Sequence, residues 1–375
     1  MGCKRIPGAT IISTTTTTTT TKMARQAVPN EIVQFINEPL PEIFDQGPTP
    51  MTAVTCELCP RACVIPEGAA GDCRIRVNLG GRLRATTYGR PSAIHVDPME
   101  KKPLYHFHPG SQVFSIATAG CNLHCLNCQN WQLSQRGGEE MEEVYRADPA
   151  ELVAAARDAG CRALAYTYSD PIVWYEHVED SAVLARAQGL ANVFVTAAYI
   201  NRKPLRRLCR VLDATNADLK AFDDGFYRRV NGGTLKPVLE ALVTFREEGV
   251  WTELTNLVIP TLNDDLAMIR RMVRWIVAEL GVDTPLHFSR FHPEYRMRNL
   301  PPTPAATLQQ ARAEAQDAGL KYVYIGNVMG DAGNSTYCPR DGTLLIGRSG
   351  FVITHYGLTA QGRCPTCNDP IPGVW

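Results

Sequence analysis

The stretch Cys121-Asn122-Leu123-His124-Cys125-Leu126-Asn127-Cys128 decides how the chain is read. It follows a short apolar run at 113–118 and the small pair Ala119-Gly120, the pattern of a buried strand running into a loop. Three thiolates this close suit an iron–sulfur cluster. Three ligands leave one iron of a 4Fe-4S cube without a protein thiolate, and an open metal position is where a substrate or cofactor binds. The alternative is a structural zinc site, which takes four protein ligands. Only His124, inside the loop itself, stands at ordinary zinc spacing to complete one.

Downstream of this loop, apolar runs alternate with amphipathic stretches as far as residue 325. Strands are expected at 113–118, 162–168, 192–200, 217–220, 251–259, 286–291 and 322–325. The helices between them have legible ends. Asp148-Pro149 opens one and Gly160 closes it; Thr303-Pro304 and Gly319 repeat the device. Asn263-Asp264 and Gly281 bracket a third, with Ile269, Val273 and Ile276 at helical spacing. Alternating βα units imply a parallel sheet. Their spacing of roughly 30 residues fits a β/α barrel, full or partial, better than a short doubly wound sheet. In such barrels the active site lies at the carboxyl ends of the strands, where the cysteine loop falls.

The other strand ends carry further candidates. The second reads Tyr166-Thr167-Tyr168-Ser169-Asp170-Pro171, whose carboxylate either pairs with an ammonium or caps the next helix. Thr196-Ala197-Ala198-Tyr199 follows the third, and the fourth ends in Asp218-Leu219-Lys220, a carboxylate beside a cation. Glu253, Thr255 and Asn256 alternate with Leu254 and Leu257, which places polar groups on the inner side of the fifth strand and suggests a site there. The sixth ends Ser289-Arg290-Phe291-His292-Pro293, where His292 is either a ligand contact or a structural histidine.

Two more cysteine groups flank the barrel. Cys56, Cys59, Cys63 and Cys73 form C-x2-C-x3-C-x9-C, a complete ligand set for zinc or an auxiliary iron–sulfur cluster. Cys338, Asp341, Cys364 and Cys367, with short strands expected at 343–346 and 351–355, look like a zinc ribbon in which a carboxylate replaces one cysteine. The alternative there is a metal-free relic held by packing. The chain is thus expected to divide into a disordered low-complexity tail at 1–49, a Cys-rich module at 50–110, the barrel at 111–330 and the ribbon at 331–375. Within the tail, the threonine run at 14–21 precedes Met23, an alternative first residue.

The bulk numbers bound the function. The 375 residues suffice for one large domain with appendages. Zero formal net charge disfavours bulk binding to nucleic acid or an anionic membrane. The basic stretch Arg202, Lys203, Arg206, Arg207 and Arg210 reads as a solvated helix face rather than a docking patch. Ten of the thirteen cysteines fall into the three metal-like groups, which points to a reducing, cytoplasmic compartment. Cys3, Cys161 and Cys209 are isolated, the last two most simply as small buried hydrophobes. No apolar run reaches the length of a membrane span.

Taken in order, several of these motifs resemble one family. The sequences C-E-L-C-P-R-A-C-V-I-P-E-G (56–68), G-R-P-S-A-I-H-V-D-P-M-E-K-K-P-L-Y-H-F (89–107), A-T-A-G-C-N-L-H-C-L-N-C-Q-N-W (117–131), T-Y-S-D-P (167–171), S-R-F-H-P (289–293) and the terminal G-V-W (373–375) carry the likeness. The chain resembles the radical S-adenosylmethionine (SAM) proteins of the AmmeMemoRadiSam system, relatives of the pyruvate formate-lyase activating enzymes. The resemblance implies a partial barrel, and a 4Fe-4S cluster on Cys121, Cys125 and Cys128. It implies SAM on the open iron, oriented by Asp170 with Ser169, Lys220 and His292. Ser169-Asp170 stands where relatives carry the end of a Gly-Gly-Glu run. Ala197-Ala198 stands where they tend to carry Asn-Gly. The resemblance further implies a one-electron donor such as ferredoxin or flavodoxin, and Memo-like and AMMECR-like companions. It implies no settled substrate: a small molecule, a modified peptide or a glycine of a partner protein are the options, with RNA disfavoured by the charge. Only about forty residues separate Cys128 from Asp170, so the ferredoxin-like insertion of larger activases is absent. The rival class is a non-catalytic iron–sulfur or zinc scaffold, or an electron-transfer protein.

Overall fold

The computed structural model describes residues 10–12, 53–141, 144–328 and 330–375. The expected tail at 1–49, with Cys3, lies outside them apart from Thr10–Ile12, a strand paired antiparallel with Val144–Arg146.

Eight strands build the central sheet: β1 (Ala93–Pro98), β2 (Gln112–Ala117), β3 (Ala163–Tyr166), β4 (Ala191–Thr196), β5 (Ala214–Asp218), β6 (Trp251–Val258), β7 (Leu286–Arg290) and β8 (Val323–Gly326). They lie in chain order from one edge to the other. From β2 to β8 every neighbouring pair is parallel. The strand β1 runs antiparallel to β2, with Ile94 opposite Ile116. The sheet is a partial barrel, with β1 and β8 as its edges. All seven expected strands are present, shifted by a few residues at most. β1 is the addition. Its sequence, Ala-Ile-His-Val-Asp-Pro, has no continuous apolar run because it is an edge strand with exposed positions.

Between the strands lie α1 (Pro149–Asp158), α2 (Tyr175–Ala187), α3 (Arg202–Cys209), α4 (Leu235–Glu247), α5 (Leu266–Glu279) and α6 (Ala305–Asp317). A full capping box opens α1: Asp148 accepts from the Glu151 amide and Glu151 reaches back to the Asp148 amide, both at 2.9 Å. For α5 the cap is Asp265, one residue beyond the expected pair; Asn263 instead ties Lys220 O and Leu257 O across the top of the sheet. Thr303 is likewise a tie, donating to Val258 O, while Pro304 precedes the first turn of α6.

Alternate residues of each strand face opposite ways. Phe114, Ile116, Leu164, Tyr166 and Phe194 pack outward under the helices, and Cys161 and Cys209 join that core. Val113, Ala163, Ala165, Val193 and Ala214 face inward around Met99, Leu104 and Phe107. The segment after β1 therefore plugs the barrel at its amino-terminal end. Glu253 belongs to this plug. Its buried carboxylate accepts from the Tyr105 and His106 amides and from Trp251, and bonds His287 Nε2 at 2.7 Å. The inward polar set on β6 thus secures the base, as a buried charge requires, and Glu253 lies away from the cysteine loop. Thr255 bonds Asn216, and Asn256 faces outward to Leu219 O.

The C-terminal ribbon, Thr336–Tyr337, Leu344–Ser349 and Val352–Tyr356, is an antiparallel three-stranded sheet. It clamps onto the same base through Arg348, which donates to Tyr105 O and Thr336, and through Val374, which exchanges backbone bonds with His106 and His108. No helix among the described residues is long and apolar enough to cross a membrane.

Candidate metal and cofactor site

Beyond β2 the chain turns at Gly120, whose φ of 82° is left-handed. A Cβ there would stand 2.5 Å from the Cys73 carbonyl and 2.3 Å from an Ile75 side-chain carbon, so only glycine fits. The cysteine loop that follows is fixed from both sides. His124 N and Leu126 N donate to Asn231 O and Val230 O at 2.9 Å, and Arg296 N donates to Leu126 O. The acceptors lie in a single π-turn, Tyr227–Asn231, a local irregularity that tends to mark functional positions. Gly232 and Gly233 follow it; a Cβ on Gly233 would press within 2.7 Å of Leu123.

Each of the three thiols has a hydrogen-bonding neighbour. Leu123 N donates to Cys121 Sγ at 3.4 Å and Asn231 Nδ2 to Cys125 Sγ at 3.2 Å; the Ser134 hydroxyl lies 3.2 Å from Cys128 Sγ. Burial pushes the Cys121 thiol well above its ordinary pKa, and the Asp170 carboxylate adds to the rise. Burial also raises Cys125, against the pull of the Lys220 ammonium. Thiols this shielded ionise when a metal takes them as thiolates. Donors aimed at sulfur and a cation beside Cys125 suit an anionic thiolate cluster, so the residues present fit a 4Fe-4S group.

The strand-end candidates surround this loop. Asp170 is buried, and its oxygens accept from Ile172 N, Ala197 N and the Thr196 hydroxyl. It caps the turn at Pro171–Trp174 and ties β3 to β4. Burial raises its pKa to about 6 in spite of those donors. Ser169 donates to Thr118 O at 2.7 Å. Lys220 bonds Asp218 at 2.8 Å; burial works against its charge, but Asp218 and Cys125 more than offset this and raise its pKa. Its amide donates to the buried Tyr227 hydroxyl. His292 is exposed and has no hydrogen-bond partner among the described residues. Ala198 holds a left-handed φ of 55°.

Asn231, Ser134 and Tyr227 were not singled out from sequence. Asn231-Gly232-Gly233 is the available signal, since a Gly-Gly pair marks a turn.

The N-terminal cysteines fold against the loop. A turn brings Ala62 N to Cys59 O and Cys56 N to Cys63 O, and Cys56, Cys59 and Cys73 are buried. Burial lifts the Cys59 thiol to about 11, although the Arg61 amide and the Asn122 side chain bond it. Arg61 donates to Asn122 O and Gly232 O, and Asp72 bridges Arg61 and His124, each at 2.7 Å. His124 is therefore engaged outside the thiol set. In the ribbon, the ligand atoms of Cys338, Asp341, Cys364 and Cys367 all lie within 4.8 Å of one another, a cage of single-ion size.

Comparison with known proteins agrees with this chemistry. The radical SAM superfamily description matches residues 115–275. An uncharacterized protein of Methanocaldococcus jannaschii is 45% identical over 320 residues, covering 85% of this chain and 95% of its own. The pyruvate formate-lyase-activating enzyme of Clostridium pasteurianum is 22% identical over 196 residues, 48% of this chain and 80% of its own. A crystallised domain of a pyruvate-formate lyase-activating enzyme from Bacteroides vulgatus aligns over 44% of this chain and 99% of its own, at 15% identity and a TM-score of 0.40. The cysteine loop at the carboxyl end of β2 lies inside the matched span, and the chain belongs to the radical SAM superfamily.

Proposed function

We propose that Cys121, Cys125 and Cys128 hold a 4Fe-4S cluster whose remaining iron binds SAM, and that the protein uses SAM for radical chemistry on a substrate at the open end of the barrel. The observation that carries this reading is the set of hydrogen bonds to all three thiols within one immobilised loop at the strand ends. When bound and reduced, the cluster supplies one electron that cleaves SAM to methionine and a 5′-deoxyadenosyl radical, which abstracts hydrogen from the substrate.

The chain's own residues bind and orient. Lys220, bonded to Asp218 and beside Cys125, would meet the SAM carboxylate. Asp170 and Ser169, beside Cys121, form the side that meets the ammonium. His292, at the end of β7, is free to meet a ribose or a substrate.

The motif series at 56–68, 89–107 and 373–375 supports placing the protein in the AmmeMemoRadiSam group, with Memo-like and AMMECR-like companions, in the reducing cytoplasm. The ribbon supports zinc held by Cys338, Asp341, Cys364 and Cys367. The likeness to the Clostridium activating enzyme supports a second reading, hydrogen abstraction from a glycine of a partner protein.

The test is spectroscopic. Anaerobically reconstituted, reduced protein is followed by electron paramagnetic resonance with and without SAM, with the triple variant Cys121→Ala, Cys125→Ala, Cys128→Ala as baseline. SAM should alter the signal that the triple variant lacks, and Lys220→Met should raise the SAM concentration required. A signal indifferent to saturating SAM contradicts the proposal.

A further inference from the structure

We infer that Cys56, Cys59, Cys63 and Cys73 bind a second, redox-active iron–sulfur cluster, through which an acidic one-electron carrier protein reduces the cluster on Cys121, Cys125 and Cys128. This rests on the catalytic reading above and adds the route by which its electron arrives.

The spacing of the ligand atoms separates the cysteine sets. Four ligands around one tetrahedral zinc, at ~2.3 Å each, stand about 3.8 Å apart. The ribbon set meets that condition, with Cys338 Sγ 3.5 Å from Cys367 Sγ and all four ligand atoms within 4.8 Å. Among the described residues, no three of the N-terminal thiols converge that closely, and neither do the three thiols of the catalytic loop. A cubane holds its thiolates at the corners of a larger body than a single ion, so the wider spread suits a cluster. Four cysteines also saturate a cube, which suits a relay rather than a second substrate site.

The two cysteine sets share a wall. Asn122, next in sequence to Cys121, accepts through its carbonyl from Arg61 of the N-terminal module. Cys73 presses its carbonyl against Gly120, on the other side of Cys121. One backbone contact, plus a single peptide unit, thus joins Cys73 of one set to Cys121 of the other.

The outer side faces solvent. Cys56 lines an open cavity of about 880 Å³ between the N-terminal module and α3. Its walls carry six cationic side chains against three carboxylates. Arg202, Arg206 and Arg207 are paired with Glu247, Glu248 and Glu179, but Lys203 and Arg210 have no side-chain partner among the described residues. An acidic carrier complements that rim, and electrostatic steering makes such encounters fast and salt-sensitive. In the transfer, the carrier is oxidised by one electron and the N-terminal cluster reduced. The same electron then passes to the catalytic cluster, restoring the first, and no atom moves.

The test uses the full chain, reconstituted anaerobically with iron and sulfide. The parent should hold about eight irons and eight sulfides, and the triple variant at Cys121, Cys125 and Cys128 about four of each, reducible by dithionite. A parent with about four irons, or a triple variant that carries zinc and no iron, overturns the proposal. The carrier probe is a plant-type ferredoxin, with cluster bleaching as the readout. In Lys203→Glu/Arg210→Glu the ratio of ferredoxin-driven to dithionite-driven reduction should fall about tenfold at low salt; an unchanged ratio overturns the entry route. Absence of SAM cleavage from protein with both clusters intact would instead strike the catalytic reading.

Discussion

Gly120 shows how one residue can govern the cysteine loop without being one of its candidate ligands. Its left-handed backbone and its closeness to Cys73 O and Ile75 leave no room for a side chain. Gly120→Ala should cost about 3 kcal/mol, combining backbone strain with overpacking. It should also lower the iron content after reconstitution, because the displaced neighbour is Cys121; denaturant titration with parallel iron analysis checks both. Asn231 would act on the electronics of the proposed cluster. Its amide donates to Cys125 Sγ, and hydrogen bonds to cluster sulfurs stabilise the reduced, more negative state. Asn231→Ala should make the catalytic cluster's reduction potential more negative while the N-terminal cluster's stays in place. A potentiometric titration followed by electron paramagnetic resonance distinguishes the two.

At the scale of elements, the base of the barrel is a polar closure and its top a metal loop. His106 belongs to the closure, fully buried between Pro372 O at 2.7 Å and the Tyr324 hydroxyl at 2.6 Å, so that the neutral ring donates from Nδ1 and accepts at Nε2. Burial holds its folded pKa down to about 4, although the Glu253 carboxylate opposes this. The unfolded chain, with an ordinary value of 6.5, takes up a proton that the folded chain refuses. His106 stability is therefore complete above about pH 6.5, falls as pH drops from there towards 4, and is lost below; about 3 kcal/mol is at stake. His106→Gln should flatten the slope of stability against pH in that window, measured by urea unfolding. The elements themselves were largely legible. Apolar runs gave seven strands, Asp148-Pro149 and Gly160 gave α1, and the cysteine spacing gave the site loop. What was not legible depended on tertiary contact. β1 lacks an apolar run because its outer positions are exposed. Glu253 read as a site residue because alternation reports which side of a strand a group faces, not which end of the barrel it closes. Asn231 approaches a sulfur from 106 residues away in sequence, and Ser134 turns back onto Cys128 from the short helical turn that follows the loop.

For the whole molecule, the ribbon, the plug and the barrel base are one assembly: Arg348 and Val374 bond the plug, and Tyr105 of the plug bonds Asn334 beside the ribbon. A metal in the ribbon should therefore stabilise the barrel. The Thr343 amide keeps Asp341 well below the usual carboxylate range, so this candidate ligand is anionic at neutral pH. Thiolate is the softer ligand and is preferred by zinc. Asp341→Cys should bind zinc more tightly, and a chelator should lower the Tm of the parent by several degrees more than that of the variant; a Tm indifferent to zinc and chelator alike would mean that the ribbon is held by packing alone. The proposed radical chemistry belongs to the other end of the barrel. Its most direct test is to mix anaerobically reconstituted, dithionite-reduced protein with SAM and quantify 5′-deoxyadenosine and methionine by mass spectrometry, with Cys125→Ala beside it. Both products are expected in equal amounts from the parent and neither from the variant; equal yields from parent and variant, or none from a parent with both clusters verified and candidate partner proteins supplied, would contradict radical SAM chemistry at this loop.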